Sequence, residues 1–179
     1  MKYENIDDIY TANERYAADF RKVVEGVSAA EAEAVPKDEK WSIKQLVEHV
    51  STVETGAAAI CAKLLAQAKN ANKASDGGFS ISQAFGEGLA GLATQKLEAP
   101  TQVQPTGEVP IQEALGRMSA AADKMESMRA DLKAFALDGH TFPHPYLGRL
   151  TAAEWFAIAG LHAGRHTNQI QTLIAKLRQ

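Results

Sequence analysis

Two histidines near the C-terminus, His162 and His166, are four positions apart within a strongly helical sequence pattern. At 3.6 residues per turn, this spacing places both imidazoles on one face of a helix. The same face carries apolar residues on both sides of the pair, namely Trp155, Ile158, Ala159, Ile170, Leu173 and Leu177. Both rings are therefore expected to point into the core, where their nitrogens need hydrogen-bonding partners or a metal ion.

His49 is a third candidate metal ligand, because it lies on the apolar stripe of another predicted helix with Leu46, Val53, Ile60 and Leu64. Two helices could thus bring three imidazole nitrogens to one point and leave at least one coordination position open, as catalytic sites do. The alternative is that the three rings are core histidines that hydrogen-bond to buried carboxylates or hydroxyls. A pair of histidines at this spacing also occurs by chance in helices.

Composition predicts one globular all-α domain over residues 1–179. Hydrophobic residues make up 45% of the chain and charged residues 23%, which are ordinary globular values, and alanine is abundant. No run of 18 apolar residues is present, so we expect no membrane partner. The net charge is −3 without a basic cluster, which argues against nucleic acid as a partner.

Cysteine usage favours a reducing compartment. Cys61 is the only cysteine, so an intramolecular disulfide is excluded, and its position on a predicted helix suggests a small packing residue. The N-terminal residues lack the pattern of a secretory signal. We therefore expect a cytoplasmic location.

Helix signals predict a four-helix bundle with long connections and one or two short extra helices. Capping boxes at Ser42 and Thr151 mark the clearest helix starts. The long helices are expected over about 5–26, 42–69, 110–136 and 151 to the end. The third should bury Ile111, Leu115, Met118, Ala122, Met125, Leu132 and Phe135.

The connections are less regular. A short turn of helix is expected after Ser28, and a weaker, glycine-containing helix from Ser80 or Ser82 to about Leu97. Residues 100–110 should be extended and turn-like, and 139–148 turn-rich, with His140 and His144 in a loop. Because the connection between the second and third long helices is long, a simple up-down order cannot be assumed.

The order of several short motifs resembles the DinB-like superfamily, particularly its metal-dependent hydrolase branch. These motifs are Trp41-Ser42 before His49, then Ala99-Pro100, Pro105-Thr106-Gly107, Pro145-x-x-Gly148 and His162-x-x-x-His166-x-x-Gln169-Ile170. The resemblance covers nearly the whole chain. It implies a bundle in which three histidines, here His49, His162 and His166, hold a divalent metal, often zinc or nickel.

The same resemblance implies a function. Some relatives are transferases or isomerases that use a low-molecular-weight thiol, and many form dimers, so a homodimer and a small-molecule substrate are expected. Ala163 stands where relatives frequently have an acidic residue. The hypothesis is a metal-dependent enzyme that activates a thiol or water for attack on a small electrophile. The alternatives are a non-catalytic metal-binding or ligand-binding module, and a structural, dimerising bundle.

Two residues near the histidine pair could support such a site. Arg165 and Gln169 each lie three positions after a histidine and could contact substrate or orient a ligand, although a surface ion pair and a buried polar group are equally good interpretations. Glu48 and Glu54 flank His49 in sequence but lie off its stripe, so neither is assigned as a general base.

Overall fold

A computed structural model of the chain describes residues 3–92, 95 and 97–179. The helices are α1 (Ile6–Glu25), α2 (Ala29–Glu33), α3 (Ile43–Ala71), α4 (Gln83–Leu92), α5 (Ile111–Ala134) and α6 (Ala152–Leu177). A short hairpin, β1 (Phe142–His144) and β2 (Gly148–Leu150), precedes α6. The four long helices and the two short ones confirm the predicted all-α architecture.

The helix starts follow from local sequence. Complete capping boxes begin four helices, at Asn5, Ser28, Ser42 and Thr151. In each, the cap side chain accepts a hydrogen bond from the backbone three residues later, and the acid or amide there accepts one in return. These caps define where α3 and α6 begin.

Contacts between helices define the topology. The main packing pairs are α1 with α6, α6 with α3, and α3 with α5. The Cys61 thiol donates to the Ala152 carbonyl at 3.3 Å, while His49 meets His162, so α3 and α6 are antiparallel. Lys69, near the end of α3, pairs with Asp131, near the end of α5, so these two helices are parallel. The long connection between them is the crossover that parallel helices require.

The core consists of two apolar clusters, one around Ile9, Leu64, Phe85 and Leu150 and one around Phe20, Leu46, Ile170 and Leu173. Glycines on α6 let α1 approach closely. A Cβ at Gly160 would lie 1.9 Å from Asn13 Oδ1, and the Asn13 amide donates to the Phe156 carbonyl. This close approach fixes the register of α1 against the helix that carries His162 and His166.

The structure corrects or refines several details of the sequence prediction. Ala122 is exposed and its neighbour Ala121 is buried instead. The turn-rich segment forms a hairpin, and the turn-like part of the segment before α5 is a turn of 3-10 helix at Thr101–Val103. The helix expected to reach about Leu97 ends at Leu92; Ala93, Thr94 and Lys96 lie outside the described residues.

No helix in the described part of the chain combines the length and the apolar character needed to cross a membrane.

Candidate metal centre

His49 is buried seven residues after the N-cap of α3, and one of its ring nitrogens is already hydrogen-bonded. Its Nδ1–H donates to the Val103 carbonyl at 2.6 Å. Because a carbonyl can only accept, Nδ1 must carry the hydrogen, and the Nε2 lone pair of the neutral ring remains free. The Trp41 ring lies 5.0 Å away, between centroids, and packs beside the imidazole.

His166 on α6 is oriented in the same way by a side chain one turn further along. Its Nδ1–H donates to Gln169 Oε1 at 2.9 Å. This hydrogen bond again places the proton on Nδ1 and leaves the Nε2 lone pair free. Gln169 therefore does what outer partners of metal-binding histidines do, which is to fix the tautomer and the orientation of the ring.

The Nε2 atoms of the three histidines converge. His162 Nε2 lies 3.1 Å from His49 Nε2 and 3.1 Å from His166 Nε2. A tetrahedral zinc ion with Zn–N bonds of about 2.0–2.1 Å would separate its nitrogen ligands by about 3.3 Å. The three rings each offer one nitrogen within 4.8 Å of the others and could hold a metal ion.

His162 is the central ring and differs from the other two in its surroundings. Its Nδ1 is buried and has no hydrogen-bonding partner in the described residues. Its orientation is therefore set by packing between the other two rings, whose centroids lie 5.0 and 4.4 Å from its own. The Nε2 lone pairs of His49 and His166 both face His162 Nε2, which has at most one hydrogen to donate. A cation among the three rings would bind all of the Nε2 lone pairs.

Burial favours the neutral form of all three rings. Desolvation lowers the pKa of His166 to about 4, with the charge of His49 as the next cause. Desolvation, followed by the charges of His166 and His49, lowers the pKa of His162 well below its ordinary value. Burial also lowers the pKa of His49, although the Val103 hydrogen bond opposes the shift. Neutral imidazoles are the form that binds metal.

Glu48 supports the site, which sequence reasoning did not anticipate. Its buried carboxylate accepts hydrogen bonds from the backbone amides of Thr106 at 2.8 Å and Gly107 at 2.7 Å. Burial alone would raise the pKa of Glu48, but the hydrogen bonds from this loop outweigh it and lower the pKa. Glu48 thus anchors the segment that supplies the Val103 carbonyl to His49. The signal in the sequence was the turn Pro105-Thr106-Gly107, where Gly107 has φ +80°.

The histidines open onto a cavity of about 1310 Å³ between α3 and α6. The hairpin, the end of α4 and residues 97–103 also line it. Arg165 lines this cavity, and its guanidinium donates to the carbonyls of Leu92 and Gln95, 3.3 and 2.8 Å away. Arg165 therefore holds the end of α4 against α6 at the edge of the cavity.

The other titratable candidates lie outside the histidine cluster. His144 lines the cavity and packs against Trp155, with ring centroids 5.1 Å apart, but it is not one of the three clustered rings, and neither is His140. Burial raises the pKa of Glu54 to about 8, against the opposing charge of Arg21 on α1. Neither Glu54 nor Glu48 lines the cavity.

These features define a helical bundle whose central helices hold three converging histidines at the floor of a cavity. The sequence pattern of the DinB superfamily matches residues 12–170, so the chain belongs to that superfamily. It is 20% identical over 157 residues to the uncharacterized protein YuaE of Bacillus subtilis (strain 168), a match covering 87% of this chain and 91% of YuaE.

The fold has a counterpart among solved structures. The crystal structure of TT2238, described as a four-helix bundle protein, superimposes with a TM-score of 0.63 at 18% sequence identity. The superposition covers 94% of this chain and 99% of TT2238. At that identity the likeness establishes the four-helix bundle fold, and the chemistry must be argued from the residues of this chain.

Proposed function

We propose that the protein is a metal-dependent enzyme in which His49, His162 and His166 hold a divalent cation, with zinc or nickel as the expected ion. The observation that carries the proposal is the convergence of the three Nε2 atoms, 3.1 Å apart in two pairs. Hydrogen bonds to Val103 and Gln169 leave the lone pairs of two of these rings free for an ion. Imidazole nitrogen suits both zinc and nickel.

The neutral ligand set determines what chemistry the site could supply. A cation bound only by neutral imidazoles keeps its full charge and lowers the pKa of a water or thiol in its remaining position. The clustered group in the described residues contains no carboxylate, and Glu48 is engaged by its loop. We therefore assign no carboxylate of α3 as a base and propose that the nucleophile is water or a low-molecular-weight thiol.

The substrate is proposed to be a small electrophile bound in the cavity above the histidines. The cavity is lined mainly by aliphatic and aromatic side chains, which exclude water around a bound substrate. Arg165 is the cation nearest in sequence to the ligands, and its role here is to hold Leu92 and Gln95 at the cavity edge. Gln169 orients His166. The products would be those of a thiol transferase or a hydrolase.

A panel of nucleophiles and electrophiles tests this proposal. Zinc-loaded and nickel-loaded protein would be assayed with cysteine, glutathione, bacillithiol and mycothiol against 1-chloro-2,4-dinitrobenzene, and with water against p-nitrophenyl esters. Metal-dependent turnover that is absent from a His49→Ala, His162→Ala, His166→Ala triple variant supports the proposal. Metal binding without turnover across an extended panel would favour a non-catalytic binding module.

The expectations of a homodimer and a cytoplasmic location belong to the same proposal and come from the family resemblance and the single cysteine. Light scattering of the purified protein tests the first. Fractionation of cells that express the chain tests the second.

A further inference from the structure

The cavity extends from the histidines along both central helices. Because α3 and α6 are antiparallel, the segment from His49 to Ile60 runs beside the segment from His162 back to Trp155. Both segments line the cavity. At 1.5 Å of rise per residue, the seven residues from His162 to Trp155 span roughly 10 Å. One part of the cavity therefore extends about two helical turns from the three histidines toward Trp155.

The walls that the two helices give this part of the cavity are apolar, and the imidazole beside them is that of His144, which packs against Trp155 from the hairpin. Ile60 on α3 and Ile158 and Trp155 on α6 contribute its walls, and Phe142 and Leu147 of the hairpin segment also line it. Both helix segments are fully described, and no charged side chain lines the cavity on α3 between His49 and Ile60 or on α6 between Trp155 and His162. A charged or strongly hydrated group would lose its water there without compensation.

Gly56 keeps part of this space open. It lies seven residues after His49, in the interior of α3, where a glycine makes the helix less stable than an alanine would. On α6, Gly160 and Gly164 are needed because α1 side chains approach their Cα atoms closely. At Gly56, in contrast, no described atom from another part of the fold lies within 4 Å of the position that a Cβ would take. Gly56 is exposed and lines the cavity, so its missing side chain leaves space there and is not required for contact between helices.

The volume also exceeds what a small electrophile needs. Ligand pockets commonly measure about 300–1,000 Å³, and this cavity measures about 1310 Å³. A substrate confined to the neighbourhood of the histidines would leave water with few hydrogen-bonding partners beside the apolar helix walls. Burial of an apolar group there releases that water and contributes affinity.

We infer that the ligand of this site has two parts: a polar head that binds at the three histidines, and an apolar arm of about 10 Å that lies along Gly56 and Ile60 toward Trp155. The position of the head rests on the proposed function, since it requires the cation. The position of the arm rests on the shape and lining of the cavity alone. The substrate class is thus an electrophile attached to an alkyl chain or an aromatic group.

The test compares Gly56→Leu, which places a side chain in the arm region, with Gly116→Leu. Gly116 is also a glycine within a helix, and no described atom from another part of the fold lies within 4 Å of the position that its Cβ would take. It lies on α5 and does not line the cavity. The two variants therefore share the change in helix propensity and differ in whether they fill the cavity. Should Gly56→Leu fail to fold by circular dichroism, Ile60→Trp fills the same space from the next turn.

Two probes separate the arm from the head. Acetohydroxamate and octanohydroxamate carry the same metal-binding head, and the second has six more methylene groups. Each methylene buried from water increases affinity about fourfold. Zinc-loaded wild-type protein and Gly116→Leu should therefore bind octanohydroxamate at least about 30-fold more tightly than acetohydroxamate, even if fewer than half of the additional methylenes are fully buried. In Gly56→Leu this preference should fall below about threefold, with the affinities for zinc and acetohydroxamate unchanged. Equal affinity for the two probes in wild type, or a preference that survives Gly56→Leu, overturns the inference.

A metal-independent probe distinguishes failure of the arm from failure of the proposed function. The metal-free proteins would be titrated with the neutral fluorophore N-phenyl-1-naphthylamine. If wild-type protein binds no zinc, the proposed function fails, but fluorophore binding that is lost in Gly56→Leu and kept in Gly116→Leu still supports the apolar arm. Fluorophore binding that is absent, or equal in all three proteins, contradicts it.

Discussion

Glu48 and His49, adjacent on α3, bind the same connecting segment at two points. The Glu48 carboxylate accepts hydrogen bonds from Thr106 and Gly107, and the His49 imidazole donates to Val103. Glu48 thus holds the loop in place, and His49 donates a hydrogen bond to the same loop. A carboxylate that contacts none of the three histidines thus anchors the segment whose Val103 carbonyl sets the tautomer of His49.

Replacement of Glu48 by Gln is expected to weaken the candidate metal site as well as the fold. The amide group of Gln would face backbone donors that now meet a carboxylate, which should reduce the free energy of unfolding by about 1–3 kcal/mol. Looser positioning of Val103 should lower zinc affinity about tenfold or more. Chelator competition and chemical denaturation measure the two effects.

Glu154→Gln is the matched control for Glu48→Gln. Glu154 is equally buried, and its carboxylate accepts hydrogen bonds from the backbone amides of Ser82 and Thr151, both at 2.9 Å. It should lose comparable stability and keep the zinc affinity of the wild type. An equal loss of zinc affinity in both variants would mean that Glu48 acts only through general stability.

Gln169 offers a second test of ring orientation. Gln169→Ala removes the acceptor of the His166 Nδ1–H and should reduce zinc affinity about tenfold. Gln169→Glu keeps an acceptor in place and should restore or increase the affinity, since a carboxylate raises the basicity of the imidazole. Gln171→Ala, at an exposed position on the same helix, is the control. If Ala and Glu at position 169 behave alike, Gln169 does not orient His166.

Glu54 should make stability depend on pH in the opposite sense to a typical carboxylate. Burial raises its pKa from 4.5 to about 8, so between these values the folded chain holds a proton that the unfolded chain has released. The contribution of Glu54 to stability is therefore present below pH 4.5 and is lost as pH rises toward 8. Glu54→Gln should remove this dependence and stabilise the protein at pH 8 by about 1 kcal/mol or more, because one pKa unit corresponds to about 1.4 kcal/mol.

Thermal or urea unfolding at pH 4.5 and pH 8 measures the effect. Glu14→Gln, at an exposed position on α1, controls for the loss of a negative charge. A Glu54→Gln variant that gains no stability at pH 8 relative to pH 4.5 would contradict a protonated Glu54 in the folded state.

The two helices that carry the histidines, and the faces on which the histidines lie, could be predicted from the sequence. Ser42 with Gln45, and Thr151 with Glu154, predicted the start of the two central helices because capping is a local interaction. Periodicity then placed His49, His162 and His166 on inward faces, and the structure brings these three rings together.

The remaining features depend on contacts between distant segments. The partner of Glu48 lies 58 residues along the chain, and the local turn signal at Pro105-Thr106-Gly107 does not indicate which distant side chain the turn will bind. The sequence does not distinguish buried Ala121 from exposed Ala122, because the two neighbouring residues have the same size and polarity. The strands of the hairpin are three residues each, too short for an alternating pattern to appear.

The most direct test of the account is elemental analysis of protein purified without an affinity tag or added metal. The parent chain would be compared with the His49→Ala, His162→Ala, His166→Ala triple variant, each before and after reconstitution with zinc and nickel. The account predicts about one equivalent of a divalent metal in the parent, on the basis of one three-nitrogen site, and none in the variant. Absence of metal from both after reconstitution, or equal metal in both, would contradict a three-histidine centre.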